Sequence, residues 1–281
     1  VCTQLMVEPG SRTMLAGLEL LKALFSGPQD LSLTDGANAS ARQIWERCGG
    51  VTIPIYSIVW TRILRPSRYA LDSLGEKHRF LRPFVFGSRI FCWTADSITA
   101  QIRPNRFRRG RLSFSQEDLD TKTLFENLPK FSSAVSLRPD YDLASLQWLL
   151  EMAEQKKQWG ALRKEALRNA AREIVGWYLY YLKSGGMSRV IQIAASPKSV
   201  SHVLDHLFYS AWRQGATAIS GRLEPKYLHE LSHQYCRFTE TCSAFLVQSH
   251  SQDILQAVYT GDAFLSRLEG EWWNRFGELV Q

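Results

Sequence analysis

The sequence predicts an α/β (α+β) protein of two units, each a mixed sheet flanked by helices, the first of them incomplete. Three observations carry that expectation. The chain has 281 residues, roughly twice the length of an ordinary domain. Strand-like and helix-like segments alternate along it. The order strand, loop, helix, strand, helix, strand occurs near the N-terminus and again after the middle, a repeat of architecture without residue identity.

Gln4 to Val7 reads as the end of a strand and Pro9-Gly10-Ser11 as a turn. Arg12 to Phe25 reads as a helix, with Leu15, Leu18, Leu21, Leu24 and Phe25 at helical spacing and Gly27-Pro28 as the stop. Leu31 to Thr34 alternates like a short strand, and Asp35-Gly36-Ala37-Asn38 reads as a loop with capping residues. Ala39 to Cys48 returns to helix before Gly49-Gly50. Val51 to Leu64 is rich in β-branched and aromatic residues divided by Pro54, which predicts two strand pieces or one bulged strand. A first unit over 1–66 therefore ends near Arg65-Pro66, and 67–139, without a clean period, reads as a connecting segment or insertion.

A second unit, 140–281 with a C-terminal extension, opens on a helix from Asp140 to Trp159. Asp140 or Asp142 caps it, and Leu143, Leu146, Leu149, Leu150 and Ala153 share one face. Ala161 to Arg172 has helical composition. Ile174 to Leu182 and Arg189 to Ala195 read as antiparallel strands joined by the hairpin turn Lys183-Ser184-Gly185-Gly186. Ser199 to Arg213 reads as helix, Ala216 to Ser220 as strand, Lys226 to Tyr235 as helix and Thr241 to Val247 as strand.

Composition narrows the function classes. Hydrophobic residues at 45% and charged ones at 22% fit a folded globular chain and exclude long disorder. The apolar runs Trp177 to Leu182 and Val190 to Ala195 are too short to span a bilayer. Cys2, Cys48, Cys92, Cys236 and Cys242 form an odd set without a CxxC pair, which indicates neither zinc nor a disulfide framework and favours a reducing, cytoplasmic setting. The net charge of +7 suits a polyanion or a cofactor bearing several phosphates.

The segment Val7-Glu8-Pro9 followed by Arg12-Thr13-Met14-Leu15-Ala16-Gly17 resembles the acyl-CoA-binding segment of GNAT acyltransferases, a strand, V-x-P, then [RQ]-x-x-G-x-[GA] opening a helix. Unpaired amides at such a helix start favour a phosphate. Arg12 and Gly17 match, and Leu15 stands where the pattern has its middle glycine. Asn38, Ala41, Ile44 and Gly49 fall in register with the family's N-x-x-A-x-x-[LI]-Y-x-x-x-G-F stretch. The tyrosine that often serves there as general acid is replaced by Trp45, whose indole N–H is not an acid near neutral pH.

The second unit is similar to GNAT proteins in element order and in the strand Gly176 to Tyr181. Its phosphate-loop position reads Ala194-Ala195-Ser196-Pro197-Lys198-Ser199, without glycines; Lys198 and the N–H groups of Ser199 to Ser201 suit an anion at a helix start, although Ser-Pro there more commonly makes a plain helix start.

The resemblance implies a tandem GNAT or FemAB-like arrangement whose first unit is present only as its C-terminal half. It implies acetyl-CoA or another acyl-CoA as cosubstrate, held by Val7, Arg12, Thr13, Met14, Leu15, Ala16, Gly17 and Asn38, and acyl transfer to an amine of a small molecule, peptide or sugar. The alternative, motivated by Leu15, Trp45 and the glycine-free second loop, is a silent acyl-CoA-binding or scaffolding protein. General-base candidates are Glu224, Asp205, His202 and His206, with Glu224 carried forward. His229 and His233 stand four residues apart without a third ligand at a diagnostic distance, so no metal is assigned. Arg103, Arg106, Arg108, Arg109 and Arg111 suit an anionic partner, although a solvated loop is the commoner meaning and nucleic acid is not expected. Trp272 and Trp273 read as cover for a sheet or interface rather than as a substrate cleft.

Overall fold

The computed structural model describes residues 14–77, 114–240 and 243–274. The strand and turn expected over 4–11 and the arginine cluster lie outside them. Helix α1 (Met14–Phe25) is followed by β1 (Ser32–Ala37), α2 (Ala39–Arg47), β2 (Val51–Thr52), β3 (Ile58–Ile63) and α3 (Pro66–Lys77). Then come β4 (Ser115–Asp118), α4 (Thr121–Ser132), α5 (Leu143–Glu154), β5 (Ala161–Arg168), β6 (Ile174–Leu182) and β7 (Met187–Ala195). Helix α6 (Val200–Arg213), β8 (Ala218–Arg222), α7 (Leu228–His233), β9 (Arg237–Glu240), β10 (Ala244–Gln248) and α8 (Gln252–Thr260) complete the order.

The strands form two mixed sheets flanked by helices, as the sequence predicts. The larger has the order β4-β5-β6-β7-β8-β3-β9 and the smaller β1-β10-β2. The expected boundary at 66 is crossed in both directions. Strand β3 lies between β8 and β9, antiparallel to both, and β10 lies between β1 and β2. Each sheet thus contains an interior strand from the other part of the chain. One face of the large sheet is packed by α6, with Val203, Leu204, Leu207 and Phe208 against Trp60 and Tyr178. The other is packed by α4 and α5, with Leu124, Leu146 and Leu150 against Trp177 and Leu179.

Four expectations are corrected. Ala161–Arg172, expected to be helical, is strand β5 over its first eight residues, paired along its length with β6. Intrinsic propensity is a weak prior, and the partner strand overrides it. Gly160 turns the chain into β5 at φ +116, with the Leu182 carbonyl where a side chain would stand. The loop expected at Asp35-Gly36-Ala37 instead continues β1, with a register shift between Thr34 and Ala37. Lys226–Tyr235 is a 3-10 turn, Pro225–Tyr227, plus the short α7, and the chain leaves it through Tyr235 at φ +57. Helix α5 is shorter than expected, with Asp142 accepting the Ser145 N–H at 2.6 Å as its cap.

Trp272 and Trp273 are buried: Trp272 stacks on Trp159 at 4.6 Å, and Trp273 donates its indole N–H to the Leu268 carbonyl. Among the described residues no helix is long and apolar enough to cross a membrane.

Candidate functional site

Strands β7 and β8 are parallel neighbours, yet their pairing covers only Met187–Arg189 against Ala218–Ser220. Beyond it they run on to Ala195 and Arg222 without pairing with each other. The divergence has a local cause in the β6–β7 ladder, where Leu179 pairs with Gln192 but Tyr180 with Val190. Ile191 is thus the extra residue of a β-bulge, which bends the strand and raises its twist. Between diverging parallel strands, backbone groups lose their ladder partners and need others.

Here the chain itself supplies them. The Ile191 carbonyl accepts the Leu268 N–H at 3.0 Å, and the Ile193 carbonyl accepts the Tyr227 hydroxyl at 3.2 Å. Ser266 and Arg267 lie in the same opening, leaving a cavity of about 10 Å³, room for one water at most. Glu224 lines this filled cleft and is ion-paired with Lys226 at 3.1 Å. Burial raises its pKa, against the lowering effect of Lys226. Beside it Arg222 donates to Asp35 Oδ2 and to the Leu265 carbonyl, both at 3.0 Å. At the start of α6, Ser196 Oγ bonds Ser199 Oγ at 2.9 Å and no side chain caps the first amides.

The first part of the chain holds an equivalent junction. Asn38 follows β1 and opens α2, as Glu224 follows β8 and opens the turn into α7. Asn38 Oδ1 accepts the Ala41 N–H at 2.9 Å, so its amide Nδ2 is the group left to donate. This junction borders a cavity of about 200 Å³ shared with Arg42, Thr52, Ser57 and Glu240. Of the other residues expected to hold the cofactor, Val7, Arg12 and Thr13 lie outside the described residues. Met14, Leu15, Ala16 and Gly17 form the first turn of α1, with Ala16 half-buried and Gly17 buried.

Trp45, in the tyrosine slot, is a core residue. Phe25 meets it edge-on at 4.8 Å, and its indole N–H donates to the Val247 carbonyl at 3.2 Å. Gly50 leaves the space its ring fills. The remaining base candidates are dispersed. His202 is exposed beside Phe114, Asp205 accepts from Gln234 at 2.6 Å, and His206 is buried behind Tyr178. His229 and His233 face one another at 4.2 Å, and among the described residues no group of three metal-ligating side chains occurs.

The sequence reading missed Glu240, Arg222–Asp35 and the polar network of β5 and α6 described below. Glu240 carries no motif, and the other two depend on pairings between distant segments.

No known family profile matches the chain, and no curated protein matches it. Solved structures do. A conserved protein of unknown function from Enterococcus faecalis V583, described as a probable N-acyltransferase, superposes with a TM-score of 0.50 at 9% identity, over 89% of this chain and 52% of its own. A GCN5-related N-acetyltransferase from Anabaena variabilis gives 0.50 at 11% identity, over 86% of this chain and 53% of its own. The N-myristoyltransferase of Saccharomyces cerevisiae, solved with myristoyl-CoA and inhibitors, gives 0.44 at 11%, over 77% and 50%. The chain spans about half the length of these proteins. What it shares with the first two is the fold: two mixed sheets flanked by helices, of the GCN5-related N-acetyltransferase type.

Proposed function

We propose that the chain is a GNAT-type N-acyltransferase of tandem arrangement, moving an acetyl or longer acyl group from acyl-CoA to an amine. In this reading the first unit receives the cofactor, through Val7, the Arg12 to Gly17 loop and Asn38, and the second unit is its scaffold. One observation carries the assignment: of two equivalent strand-to-helix junctions, the one at Glu224 is filled by the chain itself and the one at Asn38 borders open space.

Bound acyl-CoA supplies the activated thioester carbonyl. The Asn38 Nδ2 donates to the acyl-bearing arm, and the N-terminal end of α2 contributes positive potential there. The acceptor nitrogen forms its bond to the acyl carbon as the carbon–sulfur bond breaks with its electron pair going to sulfur, so that CoA leaves as the thiolate and takes a proton from solvent, and the nitrogen's proton passes to Glu240, the carboxylate bordering the Asn38 cavity. Glu224, held by Lys226 in the filled cleft, keeps a structural role.

A thiol-release assay on the full chain, with acetyl-CoA and a panel of a polyamine, a lysine peptide and an amino sugar, tests this. Free CoA is expected with at least one acceptor. Glu240→Gln is expected to lower the rate about a hundredfold, the scale of one general base, while Glu224→Gln leaves it within about threefold. The silent-binder reading is favoured by Trp45, which packs in the core where an acid would stand; acetyl-CoA uptake by calorimetry without CoA release supports it. Absence of both uptake and release overturns both readings.

A further inference from the structure

On the α6 face of the large sheet, at the edge opposite β9, an open groove of about 730 Å³ lies between β4, β5 and the C-terminal half of α6. Five strand spacings separate β5 from β9, roughly 24 Å, so this groove is distinct from the Asn38 cavity. Its volume is that of a small-molecule site.

The floor is a carboxylate held, among the described residues, by hydrogen bonds rather than by an ion pair. Glu165 is 5% exposed and accepts from the Tyr178 hydroxyl, from Gln116 Nε2 at 2.6 Å and from Ser210 Oγ at 3.2 Å. All three donors are neutral. Because the Tyr178 hydroxyl gives its proton to Glu165, its 2.7 Å contact with His206 Nδ1 is an N–H donation from the ring, which burial keeps from charging. Directly across the β4–β5 ladder from Glu165 stands Asp118, and like charges in that position repel. Among the described residues Glu165 thus has no cation at ion-pair distance, and the Arg163 charge acts on it only from farther off, an arrangement costly for a buried carboxylate. Two guanidinium groups line the same groove, Arg163 two residues along β5 and Arg213 at the end of α6, both exposed. Among the described residues neither is held in an ion pair.

From this arrangement we infer that the groove is a second binding site, for a free α-amino acid. Its ammonium is received between Asp118 and Glu165, and its carboxylate by Arg163 and Arg213. The two carboxylates call for a cation; with neutral donors on Glu165 and, among the described residues, no group of three metal-ligating side chains placed to hold a metal, an ammonium fits better than a divalent ion.

Calorimetry on the full chain with L-glutamate, L-leucine and L-phenylalanine tests the site, each compared with its N-acetyl and α-carboxamide derivatives. At least one amino acid is expected to bind, with both derivatives about tenfold or more weaker, the scale of one charge-assisted pair. Arg213→Ala and Asp118→Asn, both at exposed positions, are expected to weaken it similarly, and Glu165→Gln to do so if the variant folds. No binding by any of the three, equal binding of an N-acetyl form, or unchanged affinity in Arg213→Ala overturns the assignment. Because Glu240 and Asn38 are untouched, thiol release without amine-acid binding would sink this inference and leave the transferase reading standing.

Discussion

Asp35 does three things with one carboxylate. Its Oδ2 meets the Arg222 guanidinium at 3.0 Å, while Oδ1 accepts the backbone N–H groups of Glu271 and Trp272, both at 2.8 Å. Both side chains of the pair are almost fully buried, so removing one partner strands a charge in a poorly solvated place. Asp35→Asn keeps the shape and removes the charge, and is expected to cost about 3–5 kcal/mol. Lys122→Ala provides the contrast, since its pair with Glu126 is 3.9 Å long and exposed on both sides and such pairs contribute about 1 kcal/mol or less. Urea denaturation of the two variants checks the difference; equal midpoints would show that the Asp35 pair is not a structural anchor.

At the scale of elements, β5, β6 and α6 are joined by the Glu165–Tyr178–His206 network, and its titration has a sign. Burial depresses His206 to about 4, below its ordinary 6.5, so the unfolded chain binds the proton first as pH falls. Stability from His206 is therefore present above about pH 6.5 and is lost as pH drops toward 4, by on the order of 3 kcal/mol at most. Glu165 works the other way. Its pKa is raised, chiefly by burial, so the folded chain binds its proton first and gains stability as pH falls through the carboxylate range. Within this network the two act in opposite directions, and His206→Gln removes only the acid-side loss. Thermal melts from pH 7 to 4.5 are expected to show a steeper decline for wild type than for His206→Gln; parallel profiles would refute the buried neutral imidazole.

The same elements show what the sequence exposes. Helix α5 was legible because Asp142 and the leucines at helical spacing are local signals, and the β6–β7 hairpin because Gly185-Gly186 between aromatic and β-branched runs is one too. Strand β5 was not: Ala161-Leu162-Arg163-Lys164-Glu165-Ala166-Leu167-Arg168 consists of helix formers, and only the neighbour β6 makes it a strand. With β5 read as a helix, Asp118, Glu165 and Tyr178 could not be seen as cross-strand neighbours, so the groove stayed hidden. Asp35-Gly36 carried a turn signal but lies in a strand because Arg222, far away in sequence, holds the carboxylate. Of the candidate site, Asn38 was legible from its motif, whereas Glu240 reaches the cavity only through the pairing of β9 with β3.

At the scale of the whole molecule, the reciprocal placement of β3 and β10 makes the two sheets mutually dependent. Without residues 1–77, β8 and β9 lose the strand between them, and β10 loses both of its partners. Leu246 would then lose the α1 and α2 residues that bury it on one face, and Phe245 and Val247 would lose Leu33, Ile53 and Tyr56 on the other. At about 2 kcal/mol for a fully uncovered side chain, the loss is several kcal/mol, a large share of the stability of a typical domain. Neither 1–77 nor 78–281 is therefore expected to fold alone, whereas the two produced together should associate into one species with the intact chain's circular dichroism. The intact chain should also unfold in a single step, with far-ultraviolet dichroism and tryptophan fluorescence changing together. A cooperative transition in isolated 78–281, or two separated transitions in the intact chain, would mean that the sheets stand independently and that the exchanged strands do not bind the molecule into one folding unit.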